Sequence, residues 1–133
     1  MTILYADDDI DDRDLVLEAL REIDPSISCM TATNGREVLD MLEKGSCLPD
    51  YILLDINMPG MNGKECLAAL KRNERLKSIP VVIYSTTSDI REIDEYLGLG
   101  ALTFIRKPHT FTALCAAMRI FLPPDNGKKQ DRM

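Results

Sequence analysis

The stretch Tyr51-Ile52-Leu53-Leu54-Asp55-Ile56-Asn57-Met58-Pro59-Gly60 decides the fold. Four apolar residues, too few for a helix, run straight into a carboxylate. A turn-rich segment follows and extends through Met61-Asn62-Gly63. A short apolar run closed by Pro and Gly reads as a strand buried on both faces, as in a parallel sheet. Its last residue stands where the strand leaves the core, and open α/β sheets bind ligands just beyond such carboxyl ends. Asp55 is therefore an acid held at a rigid, ligand-facing position.

Outward from that strand, the chain alternates. Thr2 to Ala6 forms a first strand, ended by Asp7-Asp8-Asp9. A helix is expected from Asp11, with Leu15, Ala19, Leu20 and Ile23 near one face and Asp24-Pro25 stopping it. Ile27 to Ala32 is a second, weaker strand, and Asn34-Gly35 makes a turn. Val38, Leu39 and Leu42 mark a second helix that Gly45 ends. After the Asp55 strand, a third helix runs from Gly63 to about Asn73 with Cys66, Leu67 and Leu70 inward. Pro80 opens a β-branched fourth strand, Val81-Val82-Ile83-Tyr84, leading into Ser85-Thr86-Thr87-Ser88. Ser88 is the expected N-cap of a helix carrying Ile90, Ile93 and Leu97. Leu102 to Ile105 is the fifth strand, followed by Lys107-Pro108. Phe111, Leu114, Cys115, Met118 and Leu122 form the inward stripe of a last helix, broken by Pro123-Pro124.

Five βα units with short connections imply an α/β, doubly wound parallel sheet with helices on both faces and right-handed crossovers. Residues 1–122 are expected to form one domain, and 123–133 a short polar, disordered tail.

Composition narrows the function. A net charge of −6 repels a phosphate backbone and argues against direct nucleic-acid binding, which rests on clustered Lys and Arg. There is no signal-peptide pattern and no apolar run long enough to span a bilayer, so a cytoplasmic protein without membrane attachment is expected. Cys29, Cys47, Cys66 and Cys115 lie far apart, and His109 is the one imidazole. That set reads as reduced structural thiols and gives zinc little support.

In a parallel sheet the strand ends lie along one edge. Asp7-Asp8-Asp9, Asp55, Ser85-Thr86 and Lys107 all follow such ends, so one crevice gathers carboxylates, hydroxyls and an ammonium. Several carboxylates so close need a counter-charge, because like charges raise each other's pKa. A hard divalent cation with oxygen ligands meets that need, and Mg²⁺ is usual where phosphate is handled. Ser85 can donate to a phosphoryl oxygen and Lys107 can neutralise one. The physical reading is phosphoryl chemistry on or near a carboxylate.

This arrangement resembles the receiver domain of two-component response regulators, over residues 2 to about 122. The matched pieces are Ala6-Asp7-Asp8, Leu54-Asp55 through Gly63, Tyr84-Ser85-Thr86, and Phe104-Ile105-Arg106-Lys107-Pro108. Each is weak alone; four in the correct order at strand ends are specific. The resemblance implies a CheY-like flavodoxin fold with strand order 2-1-3-4-5. It implies that Asp55 accepts a phosphoryl group from a sensor histidine kinase or a histidine phosphotransfer protein. Asp8, Asp55 and the backbone carbonyl of Asn57 would bind Mg²⁺ directly, with Asp7 acting through a water. Ser85 would swing toward the acyl phosphate and Phe104 would turn inward, coupling the site to a surface of the fourth helix, fifth strand and fifth helix. That surface is also a candidate for homodimerisation, and Lys107-Pro108 is expected to be a cis peptide. Asn57, Thr86 and Thr87 sit where the family tunes access and the attacking water. Asp9 or Asp11 is expected to cap the first helix, leaving Asp7 and Asp8 to the crevice.

Three classes compete. One is a signalling switch, acting through protein contacts or relaying phosphate onward, and not a turnover enzyme. Another is a phosphatase of the haloacid dehalogenase type, which wants a second acid two residues after the nucleophile where this chain has Asn57. The last is a pseudo-receiver that binds partners without phosphorylation, against which the intact Asp8, Asp55, Ser85 and Lys107 set argues. The switch is the reading adopted. Its downstream target is not written in the sequence; the ending near Pro123-Pro124 leads to the expectation of no attached output domain.

Overall fold

The computed structural model describes residues 1–58 and 60–122. Its elements are β1 (Thr2–Ala6), α1 (Ile10–Ile23), β2 (Ser28–Ala32), α2 (Gly35–Lys44), β3 (Tyr51–Leu54), α3 (Gly63–Arg72), β4 (Val81–Ser85), α4 (Ile90–Gly98), β5 (Thr103–Arg106) and α5 (Phe111–Phe121). All pairings are parallel, in the order β2-β1-β3-β4-β5. The fold is the expected flavodoxin-like one.

Helices cover both faces, which is why the inner strands are apolar runs rather than alternations. Ile3 to Ala6, Ile52 to Leu54 and Val81 to Tyr84 are buried. One core layer joins Leu4, Ile52, Leu54 and Ile83 to Val38, Leu42, Leu67 and Leu70 of α2 and α3. The other joins Ile3, Tyr5, Leu53 and Tyr84 to Val16 and Leu20 of α1 and to Leu114 and Met118 of α5. Edge strands β2 and β5 are only partly buried.

Side-chain caps fix the helix starts. Asp9 accepts from the N–H groups of Asp11 and Asp12, Asn34 from Glu37, Thr110 from Ala113, and Asn62 forms a reciprocal capping box with Glu65. The cap of α4 is Asp89, not Ser88, because its carboxylate accepts from the N–H of Arg91. At Gly63 a Cβ would stand 2.8 Å from the Ile56 Cα, so only glycine lets the loop after β3 fold back this closely.

Two apolar-face assignments are corrected: Leu15 is 44% and Phe111 41% exposed. On α4, Ile90 and Leu97 face solvent, and Tyr96 is the buried anchor. An apolar stripe at helical spacing locates a face, but its margin lies beyond the width of the sheet it covers. Leu102 lies outside β5 and is exposed. Among the described residues no helix is long and apolar enough to cross a membrane. The tail expectation for 123–133 lies outside the described residues.

Candidate functional site

The site is built by the ladder itself. Beyond the last paired residues, three functional groups are each pinned to a neighbouring strand by their own N–H. Asp7 donates to the Ala32 carbonyl (3.0 Å), Asp55 to that of Ala6 (2.9 Å) and Lys107 to that of Ser85 (2.8 Å). Their side chains start from backbone that cannot drift.

Asp7 and Ser85 have no exposed surface and Asp55 is 4% exposed, so the three polar groups sit in the core's rim. Lys107 Nζ lies 2.8 Å from Asp12 Oδ2, 3.1 Å from Asp7 Oδ2 and 3.6 Å from Asp55 Oδ1. It also stands 5.3 Å from the centre of the Tyr84 ring, a cation–π distance. Burial pushes the Asp55 carboxyl up to about 6, helped by the Asp7 charge and opposed by Lys107 and the Asn57 N–H. Burial pulls the Lys107 ammonium down, but the Asp12 hydrogen bond and the charges of Asp55 and Asp7 outweigh it, and the net shift is upward. Lys107 therefore stays charged.

Carboxylate oxygens of Asp7, Asp8 and Asp55 lie within 4.8 Å of one another. Two buried acids and one exposed acid, all oxygen donors, suit a hard cation that keeps part of its hydration. Among the described residues Lys107 is the ammonium beside them, and its one charge does not balance three. The donor set thus fits Mg²⁺. Asn57 is exposed on the same loop.

Ser85 Oγ accepts from the Thr87 N–H at 3.2 Å, which leaves its own proton to donate. Thr87 Oγ1 accepts from the Asp89 N–H at 3.2 Å, so its hydroxyl is tied to the start of α4; Thr86 is exposed. Phe104 pairs in register with Ile83, is half-buried and packs against the core layer of α2 and α3.

The structure brings together Asp7, Asp8, Asp55, Ser85 and Lys107, and departs from expectation at one point. No described peptide bond is cis, so Lys107–Pro108 is trans. The trans form is the lower-energy isomer of an X–Pro bond, and the lysine reaches its carboxylates from it. Asp9 takes the capping role, as one of the two residues expected there.

Two residues escaped the sequence reading. Tyr5 donates its hydroxyl to Asp7 Oδ2 at 2.6 Å, and Asp12 holds Lys107. A tyrosine in a strand gives no hint of its partner. For Asp12 the only signal was its place one turn past the Asp9 cap.

Comparison with known proteins agrees with this geometry. Residues 3–119 match the response regulator receiver domain family. A chemotaxis protein, CheY-3 of Vibrio cholerae, is 33% identical over 114 residues, spanning 86% of this chain and 85% of that protein. The sensor histidine kinase CheAY of Helicobacter pylori is 33% identical over 110 residues, which cover 81% of this chain but only 13% of that kinase. Among solved structures, the phosphorylated cyanobacterial phytochrome response regulator RcpA superposes with a TM-score of 0.80 at 31% identity, covering 86% of each chain. The Mn²⁺-bound response regulator Rcp1 gives a TM-score of 0.82 at 26% identity, over 92% of this chain and 95% of that one. The chain belongs to the response regulator receiver domain family. It is a phosphoacceptor module of two-component signalling, a class that receives phosphoryl groups from histidine kinases or phosphotransfer proteins.

Proposed function

We propose that Asp55 is the phosphoacceptor, that Mg²⁺ is held by Asp7, Asp8, Asp55 and the Asn57 carbonyl, and that residues 1–122 act as the receiver unit. The observation that carries the reading is the convergence of a buried acid, two further carboxylates and a lysine at one sheet edge. Mn²⁺ bound to the related regulator Rcp1 supports a divalent cation here.

In this reading one Asp55 carboxylate oxygen attacks the phosphorus of the donor. The P–O bond to Asp55 forms while the bond from phosphorus to the leaving imidazole nitrogen, or to acetate in a small donor, breaks. Bound Mg²⁺ supplies charge neutralisation of the phosphoryl oxygens. Lys107 supplies a second positive charge and Ser85 a hydroxyl donor, both carried at the same sheet edge as Asp55. Burial that raises Asp55 also strips it of water, yet at neutral pH it is largely ionised and able to attack.

The signal leaves through Ser85 and Phe104 toward α4, β5 and α5. Exposed Ile90, Leu97, Leu102 and Phe111 on that side suit a protein target or a second copy of the chain. The first test is intact mass after incubation with Mg²⁺ and acetyl phosphate, quenched quickly. One added phosphoryl group, absent without Mg²⁺ and absent in Asp55→Asn, is expected; no gain in the wild type refutes the reading. Sedimentation with and without beryllium fluoride reads the dimer, and a monomer in both states removes it.

A further inference from the structure

We infer that Asp12 is a positioning residue that restrains the Lys107 ammonium in the resting protein and so sets how readily Asp55 accepts a phosphoryl group. The inference rests on the phosphoacceptor reading of Asp55.

Lys107 has three N–H donors. At rest two are engaged, by Asp12 at 2.8 Å and Asp7 at 3.1 Å, while Asp55 at 3.6 Å is beyond hydrogen-bond reach. Asp7 is fixed: it is fully buried and also holds the Tyr5 hydroxyl and the Asp9 N–H. Asp12 is the partner that can be surrendered. It lies outside the Asp7-Asp8-Asp55 cluster, and its side chain is 33% exposed. It borders a cleft of about 220 Å³ shared with Leu15, Tyr84, Lys107, His109 and Phe111.

Its placement is built from both sides. Asp9 Oδ1 accepts from the N–H groups of Asp11 and Asp12, which fixes the phase of the first turn. Arg13 Nη1 donates to the Asp7 carbonyl at 2.7 Å, tying the next residue to the end of β1. Asp12 is thereby aimed at the ammonium.

A phosphoryl group on Asp55 brings oxygens that need the donor Asp12 holds. The Asp12 carboxylate competes with them for Lys107. Removing its charge frees the lysine, and the site then favours the phosphorylated arrangement.

The experiment measures Mg²⁺-dependent beryllium fluoride affinity and the rate of phosphorylation by acetyl phosphate for the wild type, Asp12→Asn, Asp12→Glu and Asp14→Asn. Asp14→Asn makes the same charge change at an exposed position of α1. Asp12→Asn is expected to tighten beryllium fluoride binding and speed phosphorylation about two- to fivefold, the scale of one partly exposed ion pair. Asp12→Glu and Asp14→Asn should stay near wild type. Unchanged or weaker binding in Asp12→Asn, with only a lower melting temperature, makes Asp12 a purely structural tie and overturns the inference. Equal tightening in Asp14→Asn assigns the effect to overall charge and overturns it as well. Failure of the wild type itself to bind or to take phosphate is a separate result that overturns the parent reading and this one together.

Discussion

The Tyr5 hydroxyl donates a 2.6 Å hydrogen bond to Asp7 Oδ2, and neither side chain has any exposed surface. A buried carboxylate is tolerated only when donors surround it. Burial and the Asp7 charge push the Tyr5 phenol far above its ordinary range, so it remains a donor at every working pH. Tyr5→Phe is expected to lower the stability of the metal-free protein by about 1–2 kcal/mol, because buried Asp7 Oδ2 loses its shorter donor and keeps only Lys107. Urea unfolding without divalent cations checks this, and an unchanged midpoint contradicts it.

Asp55 gives the pH dependence. Its carboxyl is raised from 3.8 to about 6, chiefly by burial. Between those values the folded state binds more protons than the unfolded one, so stability falls as pH rises through this window and stays lower above it. Asp55→Asn removes that penalty and should stabilise the metal-free protein at neutral pH by on the order of 1–2 kcal/mol, with little gain below the unfolded pKa. Equal gains at both pH values contradict the assignment. Mg²⁺ must also compete with the proton, so its affinity should drop about fourfold between pH 7.5 and 5.5, which titration calorimetry reads.

Arg75 offers a control remote from the chemistry. Its guanidinium donates to the carbonyls of Leu42 (2.9 Å) and Gly45 (2.6 Å), closing the C-terminal end of α2. Arg75→Ala should cost about 1–2 kcal/mol by leaving those carbonyls without a charged donor. Phosphorylation by acetyl phosphate should be unaffected; a change there would couple α2 to the site.

Thr87 bears on the lifetime of the phosphoryl group. Its hydroxyl and N–H link Ser85 to the cap of α4. Thr87→Ala releases the hydroxyl contact with Asp89 and is expected to alter the rate of phosphoryl loss about two- to tenfold, without changing which residue is modified. Following decay of the phosphorylated protein after donor removal reads this, and an unchanged lifetime takes Thr87 out of the account.

Legibility in the sequence followed burial. Ile52-Leu53-Leu54 and Val81-Val82-Ile83 declared themselves because a strand covered on both faces has no polar positions, and Gly and Pro punctuate its end. The residues after those ends could then be placed on one edge, which is why Asp55, Asp7, Asp8, Ser85 and Lys107 were found together. Helix faces were read less well. Tyr96 anchors α4, yet its polar tip disguised it among Ile90, Ile93 and Leu97. The Asp12–Lys107 pair joins residues 95 apart, and no local pattern encodes such a contact. The trans Lys107–Pro108 bond shows the same limit, since the residues at a proline permit both isomers.

The most direct test of the account is to locate the acyl phosphate. Borohydride reduces an aspartyl phosphate to homoserine, so protein treated with Mg²⁺ and acetyl phosphate, reduced, digested and sequenced by tandem mass spectrometry reveals the acceptor. Homoserine is expected at position 55 alone and only when Mg²⁺ is present. Homoserine at Asp7, Asp8 or Asp12, or none at any position while phosphate is incorporated elsewhere, contradicts it.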